Sequence, residues 1–283
     1  MTPTVPMGEL RSVWFQVTGT LCNLTCRHCF NASGPRAPWL APLEADVVRR
    51  GIAEAMALGA RELYFTGGEP LLHPDIVALL GEALAVAPAT VLTNGTLIDD
   101  ALADRLVALA GGSPYSLEIR VSLDAATPEA HDAIRGRGAF ERALAAVRRL
   151  DARGLPPIVT ATDLAPDAAA PSLYERLRVC LLAAGVARPR VKILPALPLG
   201  RLASRATGRV LAADDLEGFD AARLQCAETR AVAAGGVYAC PILAGLPGAR
   251  LAGERIADAL RPAPLFHPAC VVCHATGLTC ANG

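Results

Sequence analysis

The chain has 283 residues, 52% of them hydrophobic and only 4% aromatic, which allows one substantial aliphatic core with a small appendage and excludes disorder. Its 27 basic and 27 acidic side chains cancel, leaving no global field to attract nucleic acid or anionic lipid. No cationic stretch leads into an apolar core at the start, and no later run is long and uncharged enough to span a bilayer, so the expectation is a cytoplasmic protein with no nucleic-acid or membrane partner.

From Ser12 to Ala196, short β-type runs alternate with helical ones. The pattern predicts strands over Ser12–Thr18, Glu62–Thr66, Thr90–Thr93, Ser116–Leu123, Ile158–Thr162 and Val191–Leu194. Helices are expected over Leu43–Leu58, Ile76–Ala85, Asp99–Leu109, Phe140–Ala152 and Tyr174–Ala184. Six such alternations imply parallel β/α units, either as a partial barrel or as an open doubly wound sheet. In Ser116–Asp124, the apolar Leu117, Ile119, Val121 and Leu123 alternate with Glu118, Arg120, Ser122 and Asp124, whereas a strand covered on both faces would be nearly all apolar. A barrel with a polar, ligand-filled lumen fits this, and barrel chemistry gathers at the C-terminal strand ends. The fold class expected is therefore α/β, a partial (β/α)6 TIM-like barrel. Tyr64, Glu118, Arg120 and Lys192 would face its lumen by strand alternation, with Glu118 and Arg120 read as a structural ion pair.

After Gly200 the periodicity gives way to loop-like sequence rich in Cys, Gly and Pro. We expect residues 1–203 to form the barrel and 204–283 a small C-terminal cysteine-rich domain that needs a metal to hold it.

Nine cysteines, an odd number in a reducing compartment, are better explained by metal ligation than by disulfides. Cys22, Cys26 and Cys29 are spaced C-x3-C-x2-C just after the first expected strand. Three thiolates suit an iron–sulfur cluster or zinc, and the fourth ligand decides between them. His28, lying between two of the cysteines, is poorly placed to close a zinc site, whereas a cubane on three thiolates leaves one iron open. Cys226, Cys240, Cys270, Cys273 and Cys280 mark a second metal site, with structural zinc as the alternative to an iron–sulfur group. Cys180 reads as a small buried hydrophobe, and His267 and His274 rank below the thiols as ligands.

The first triplet, with Gly67-Gly68-Glu69-Pro70 after the second strand, resembles the radical S-adenosylmethionine superfamily. The resemblance implies that Cys22, Cys26 and Cys29 hold a [4Fe–4S] cluster with an open iron that binds and cleaves S-adenosylmethionine. It implies that His28, at a position commonly aromatic in the family, packs near the adenine. Gly67, Gly68 and Glu69 would meet the methionine ammonium, while Asn94, Ser122, Asp124 and Arg135 would face the ribose and carboxylate. Read from chemistry alone, Asn94-Gly95 could equally be a turn, Asp124 a helix cap and Arg135 a solvated side chain.

The terminal cysteines, with Gly235 five residues before Cys240, resemble the auxiliary-cluster extension called SPASM or its shortened relative, twitch. The last two cysteines of the full SPASM set are missing. One auxiliary [4Fe–4S] cluster on Cys226, Cys240, Cys270 and Cys273 is therefore expected, with Cys280 as an alternative ligand.

Together the resemblances imply hydrogen-atom abstraction followed by oxidation or cross-linking. The substrate would be a peptide or protein in natural-product maturation, or a small alcohol or sugar undergoing dehydrogenation. Group transfer and epimerisation rank behind these, and the electron donor would be a flavodoxin or ferredoxin. The short stretch before the first strand leaves no room for a leader-binding domain, and a single auxiliary cluster resembles the small-molecule dehydrogenases. A non-catalytic iron–sulfur or zinc scaffold is the reading from another class.

Overall fold

Six strands of the computed structural model, which describes residues 2–36, 38–164 and 171–277, run parallel in chain order. They are β2 (Ser12–Gln16), β3 (Glu62–Thr66), β4 (Ala89–Thr93), β5 (Leu117–Ser122), β6 (Ile158–Asp163) and β7 (Arg190–Pro195), following a short β1 (Thr4–Val5). The crossovers carry α1 (Ala45–Ala57), α2 (Ile76–Leu84), α3 (Asp100–Gly111), α4 (Pro128–Arg135), α5 (Ala139–Ala152) and α6 (Leu173–Ala183).

The helices form where the apolar period is helical and start where a side chain can cap. In α5, Phe140, Ala143, Ala146, Val147 and Leu150 line one buried stripe. Asp99 accepts from Leu102 N at 2.8 Å to start α3, and Ser172 and Glu175 form a capping box on α6. Helix α4, which is not among the helices expected from the sequence, is capped by Thr127 and opened by Pro128.

The register separates the strand faces as the alternation requires. Trp14, Tyr64, Thr90 and Glu118 form one level on the lumen face, and Leu92, Arg120, Ile158 and Arg190 form another. Trp14 stacks on Tyr64 with ring centroids 4.1 Å apart, and the Arg120 guanidinium lies 5.6 Å from the Tyr64 ring centre. Glu118 accepts from Arg120 at 2.8 Å and from Arg190 at 2.9 Å, so the expected ion pair is present and closes the lower lumen. The opposite face, with Phe15, Phe65, Val91, Ile119, Val121 and Val159, is buried in the core beneath the helices.

The segment after the barrel is not irregular throughout. β8 (Thr229–Ala233) pairs parallel with β2, and β9 (Gly236–Tyr238) and β10 (Arg250–Ala252) follow antiparallel, giving a nine-stranded sheet ordered β10-β9-β8-β2-β3-β4-β5-β6-β7. β11 (Ala263–Pro264) pairs with β1, and α7 (Pro268–Thr276) follows it. The sheet does not close, because β7 and β10 are both edges. The terminal segment thus extends the barrel sheet, and the Ser12 and Thr229 hydroxyls, 2.8 Å apart, tie the two parts across the β2–β8 seam. Among the described residues, no helix is long and apolar enough to cross a membrane.

Candidate active site

The loop after β2 carries Cys22, Cys26 and Cys29 across the C-terminal ends of the strands. Leu24 N donates to Cys22 Sγ at 3.4 Å and Ser33 N to Cys29 Sγ at 3.3 Å, as backbone does when it cradles sulfur. Arg201 holds the loop from behind, donating to the carbonyls of Cys26 at 2.8 Å and Ser33 at 2.6 Å. Gly200 makes this possible: its φ is +58°, and an added Cβ would lie 2.5 Å from Cys29 O. Sequence reading missed Arg201, because a lone cation beyond the last barrel strand gives no local sign of its distant carbonyl partners. Burial pushes the Cys22 thiol up to about 12 and also raises Cys26, so these groups hold their protons until something binds and displaces them.

Gly67 and Gly68, after β3, lie directly on this loop; a Cβ on Gly68 would sit 2.2 Å from Leu21 O. Glu69, expected to meet a ligand ammonium, has its carboxylate engaged by protein donors. It is fully buried and absent from the cavity wall, accepting from Leu71 N at 3.1 Å, Thr93 Oγ1 at 2.7 Å and Asn94 N at 2.7 Å. It thereby ties the loop after β3 to the loop after β4. Burial pushes its carboxyl up to about 7, with the three donors pulling the other way. Asn94 does form the turn read from sequence, its Oδ1 accepting from Thr96 N at 2.9 Å. Its Nδ2 also reaches Asn23 at 2.8 Å and approaches Cys22 Sγ at 3.8 Å.

Asp124 is not a helix cap. Its carboxylate accepts from Arg135 Nε, from His28 Nε2 at 3.1 Å and from Thr162 N at 2.9 Å, while its own N–H donates to His131 Nδ1 at 3.1 Å. Despite burial, Arg135 and His28 hold this carboxyl well below the usual range. Arg135 is correspondingly not a solvated side chain: its Nε is spent on Asp124, and Nη1 points to Cys26 Sγ at 3.9 Å. The other ring nitrogen of His28, Nδ1, is buried with no protein partner. Burial drives His131 down to about 4, so it remains neutral.

These groups meet in one cavity of about 200 Å³, whose wall includes Cys22, Cys26, His28, Cys29, Gly67, Gly68, Asn94, Ser122, Asp124 and Arg135. It also includes residues that sequence reading did not single out. Trp14, Gln16, Thr160 and Thr162 reach it from the lumen face of their strands, and Pro241-Ile242 comes from the terminal segment. The period-two alternation of β2 and β6 was the signal that could have found the first four.

The second set of cysteines gathers elsewhere. Cys226, on a short turn, Cys240, after β9, and Cys270 and Cys273, one turn apart on α7, line an apolar cavity of about 30 Å³. Burial pushes Cys226 up to about 12 and raises Cys240 and Cys270 as well. His267 is spent as the cap of α7, and His274 reaches Asp215 O at 2.8 Å, so neither ring is turned toward the thiols. Cys180, half-buried on α6, is more exposed than expected. Cys280 lies outside the described residues. Among the described residues, no three His, Cys, Asp or Glu groups are arranged to hold a single metal ion.

Residues 17–167 match the Radical SAM superfamily. Over 134 residues the chain is 37% identical to the mycofactocin maturase MftC of Mycobacterium tuberculosis, a match covering 47% of this chain and 32% of that protein. It is 39% identical over 131 residues to the AdoMet-dependent heme synthase of Methanosarcina barkeri, covering 46% and 36%. The match thus spans about a third of the length of these curated relatives. Among solved structures, Streptococcus suis SuiB bound to its precursor peptide SuiA aligns with a TM-score of 0.66 at 16% identity, covering 94% of this chain and 66% of that one. That likeness carries the partial-barrel fold.

Proposed function

The chain belongs to the radical SAM superfamily, and from that premise we propose that it is an enzyme that abstracts a hydrogen atom from a peptide and oxidises or cross-links it. The observation that carries the reading is the convergence of three thiols, the Gly67-Gly68 loop and the Asp124–Arg135–His28 network on one cavity at the C-terminal strand ends. The three-thiol donor set fits a [4Fe–4S] cluster with one open iron, which with bound S-adenosylmethionine supplies the 5′-deoxyadenosyl radical.

Cys22, Cys26 and Cys29 release their protons and hold the cluster, while Leu24 N and Ser33 N stabilise the sulfur charge. Gly67 and Gly68 allow close backbone approach to the amino-acid end of S-adenosylmethionine, and Glu69 positions that loop without touching the ligand. Asn94 and Ser122 offer polar groups to the ribose. The buried, unpartnered Nδ1 of His28 suits a polar edge of the adenine, and the outer face of Arg135 suits a carboxylate. Trp14, Gln16, Thr160 and Thr162 form the substrate end and exclude water. Cys226, Cys240, Cys270 and Cys273 hold one auxiliary cluster, and an electron carrier such as a flavodoxin or ferredoxin supplies the reductant. The peptide class is supported by MftC, a maturase, and by SuiB, whose structure holds a precursor peptide.

The test is anaerobic reconstitution and reduction with S-adenosylmethionine, quantifying 5′-deoxyadenosine from the wild type and from Cys29→Ala. Production lost in the variant is expected. None from a protein with verified iron and sulfide would overturn the radical reading in favour of a scaffold. Mass spectrometry of candidate peptides encoded beside the gene then tests the substrate class, and turnover of small alcohols in their place would overturn it.

A further inference from the structure

Arg230, on β8, is fully buried, and its hydrogen bonds among the described residues all go to backbone carbonyls. Its Nε donates to Ala259 O at 2.7 Å, Nη1 to Cys226 O at 2.8 Å and Thr229 O at 2.5 Å, and Nη2 to Arg261 O at 2.6 Å. Carbonyls satisfy the donors but carry no net charge, and a desolvated guanidinium without a counter-charge is among the costlier features a core can hold. Its contact with the Cys226 carbonyl seats the guanidinium against the backbone that carries one of the four thiols.

Gln225, five residues earlier, presents a second anomaly. It is 7% exposed, and neither its amide nitrogen nor its amide oxygen has a partner. It lines the same small cavity as the four cysteines. A buried primary amide with both ends unsatisfied is costly, and native cores rarely keep one without a ligand or water to meet it. Both anomalies flank Cys226 in sequence, and one occupant meets both the guanidinium charge and the amide nitrogen: an anionic, sulfur-rich group that balances the cation and accepts from the amide N–H.

We infer that Arg230 is the counter-cation, and the Gln225 amide the hydrogen-bond donor, of the auxiliary iron–sulfur cluster on Cys226, Cys240, Cys270 and Cys273, and that together they raise its reduction potential. The inference rests on the auxiliary-cluster reading above. Reducing the cluster adds one electron and one negative charge, with no bond made or broken. A fixed cation and an N–H donor therefore favour the reduced form, as an electron acceptor for a substrate radical requires. Both are positioning residues, because they act through the cluster.

The experiment is an EPR-monitored redox titration of the reconstituted full chain. Cys22, Cys26 and Cys29 are replaced by Ala in the parent, so that only the auxiliary cluster is observed. Arg230→Gln, Arg230→Lys and Gln225→Leu are compared in that background. At a fixed applied potential, Arg230→Gln is expected to hold about tenfold less reduced cluster than the parent, Arg230→Lys to recover most of it, and Gln225→Leu to lose a smaller share. A cluster lost in Arg230→Gln but kept in Arg230→Lys also supports the counter-cation. Unchanged potentials in cluster-loaded variants, or Arg230→Lys failing as fully as Arg230→Gln while Gln225→Leu titrates like the parent, would overturn the inference. Absence of iron and sulfide from the parent would instead overturn the auxiliary-cluster reading beneath it.

Discussion

The two cysteine sets are built from the same side chain in different surroundings. Cys22, Cys26 and Cys29 sit on a loop at the edge of a roomy cavity, with Cys29 partly exposed and ion-paired side chains beside it. The terminal four close on a small apolar space backed by a buried cation. The first cavity, about 200 Å³, leaves room for a ligand beside its thiols, whereas the second, about 30 Å³, leaves little beyond the thiols themselves. What a thiol can do is therefore decided by what surrounds it.

The largest expected effect breaks the first set alone. Gly68→Ala drives a Cβ into Leu21 O, so 5′-deoxyadenosine production should disappear while the terminal site still loads, leaving about half the wild-type iron. Equal loss of iron from both sites would show that the two sets are one cooperative unit.

Asp124→Asn should cost about 3 kcal/mol at pH 7, measured by urea denaturation, because it leaves Arg135 buried without its counter-charge. The carboxyl is depressed in the folded state, so its contribution is present above the ordinary value of 3.8 and lost as pH falls below it. The wild type should accordingly lose stability in acid more steeply than the variant.

Glu69 has the opposite sign. Its folded-state value of about 7 lies above the ordinary 4.5, so its contribution is fully present below 4.5 and fades as pH rises to 7. Glu69→Gln should flatten the fall in stability over that window, and an unaltered slope would show that the three donors outweigh burial. The smallest effect is expected at Cys180, outside both sets. Cys180→Ser should change stability by no more than about 0.5 kcal/mol and leave iron content untouched.

Much of the barrel was legible because period-two and period-3.6 patterns are local. Strand Glu62–Thr66 matches its expected bounds, and most helix ends fall within about two residues, where caps such as Asp99 and Ser172 declare them. Strands β8 to β10 were missed because three to five residues between Gly and Pro carry too little periodicity to register. Thr229–Ala233 is a strand because β2 offers it an unpaired edge. Cys22, Cys26, Cys29, Gly67 and Gly68 were legible because fixed spacing at strand ends is itself the signal.

The β/α order, the lumen-facing alternation and the close set Cys22, Cys26 and Cys29 were readable because each follows from spacing along the chain. Long-range contacts set the rest: Glu69 accepts from the loop after β4, Asp124 binds Arg135 and His28, Arg201 braces the cysteine loop, and Arg230 lies buried beside Cys226. Each of these depends on a partner distant in sequence, often a backbone carbonyl or N–H, and main-chain groups are the same at every position until the fold selects which one is near.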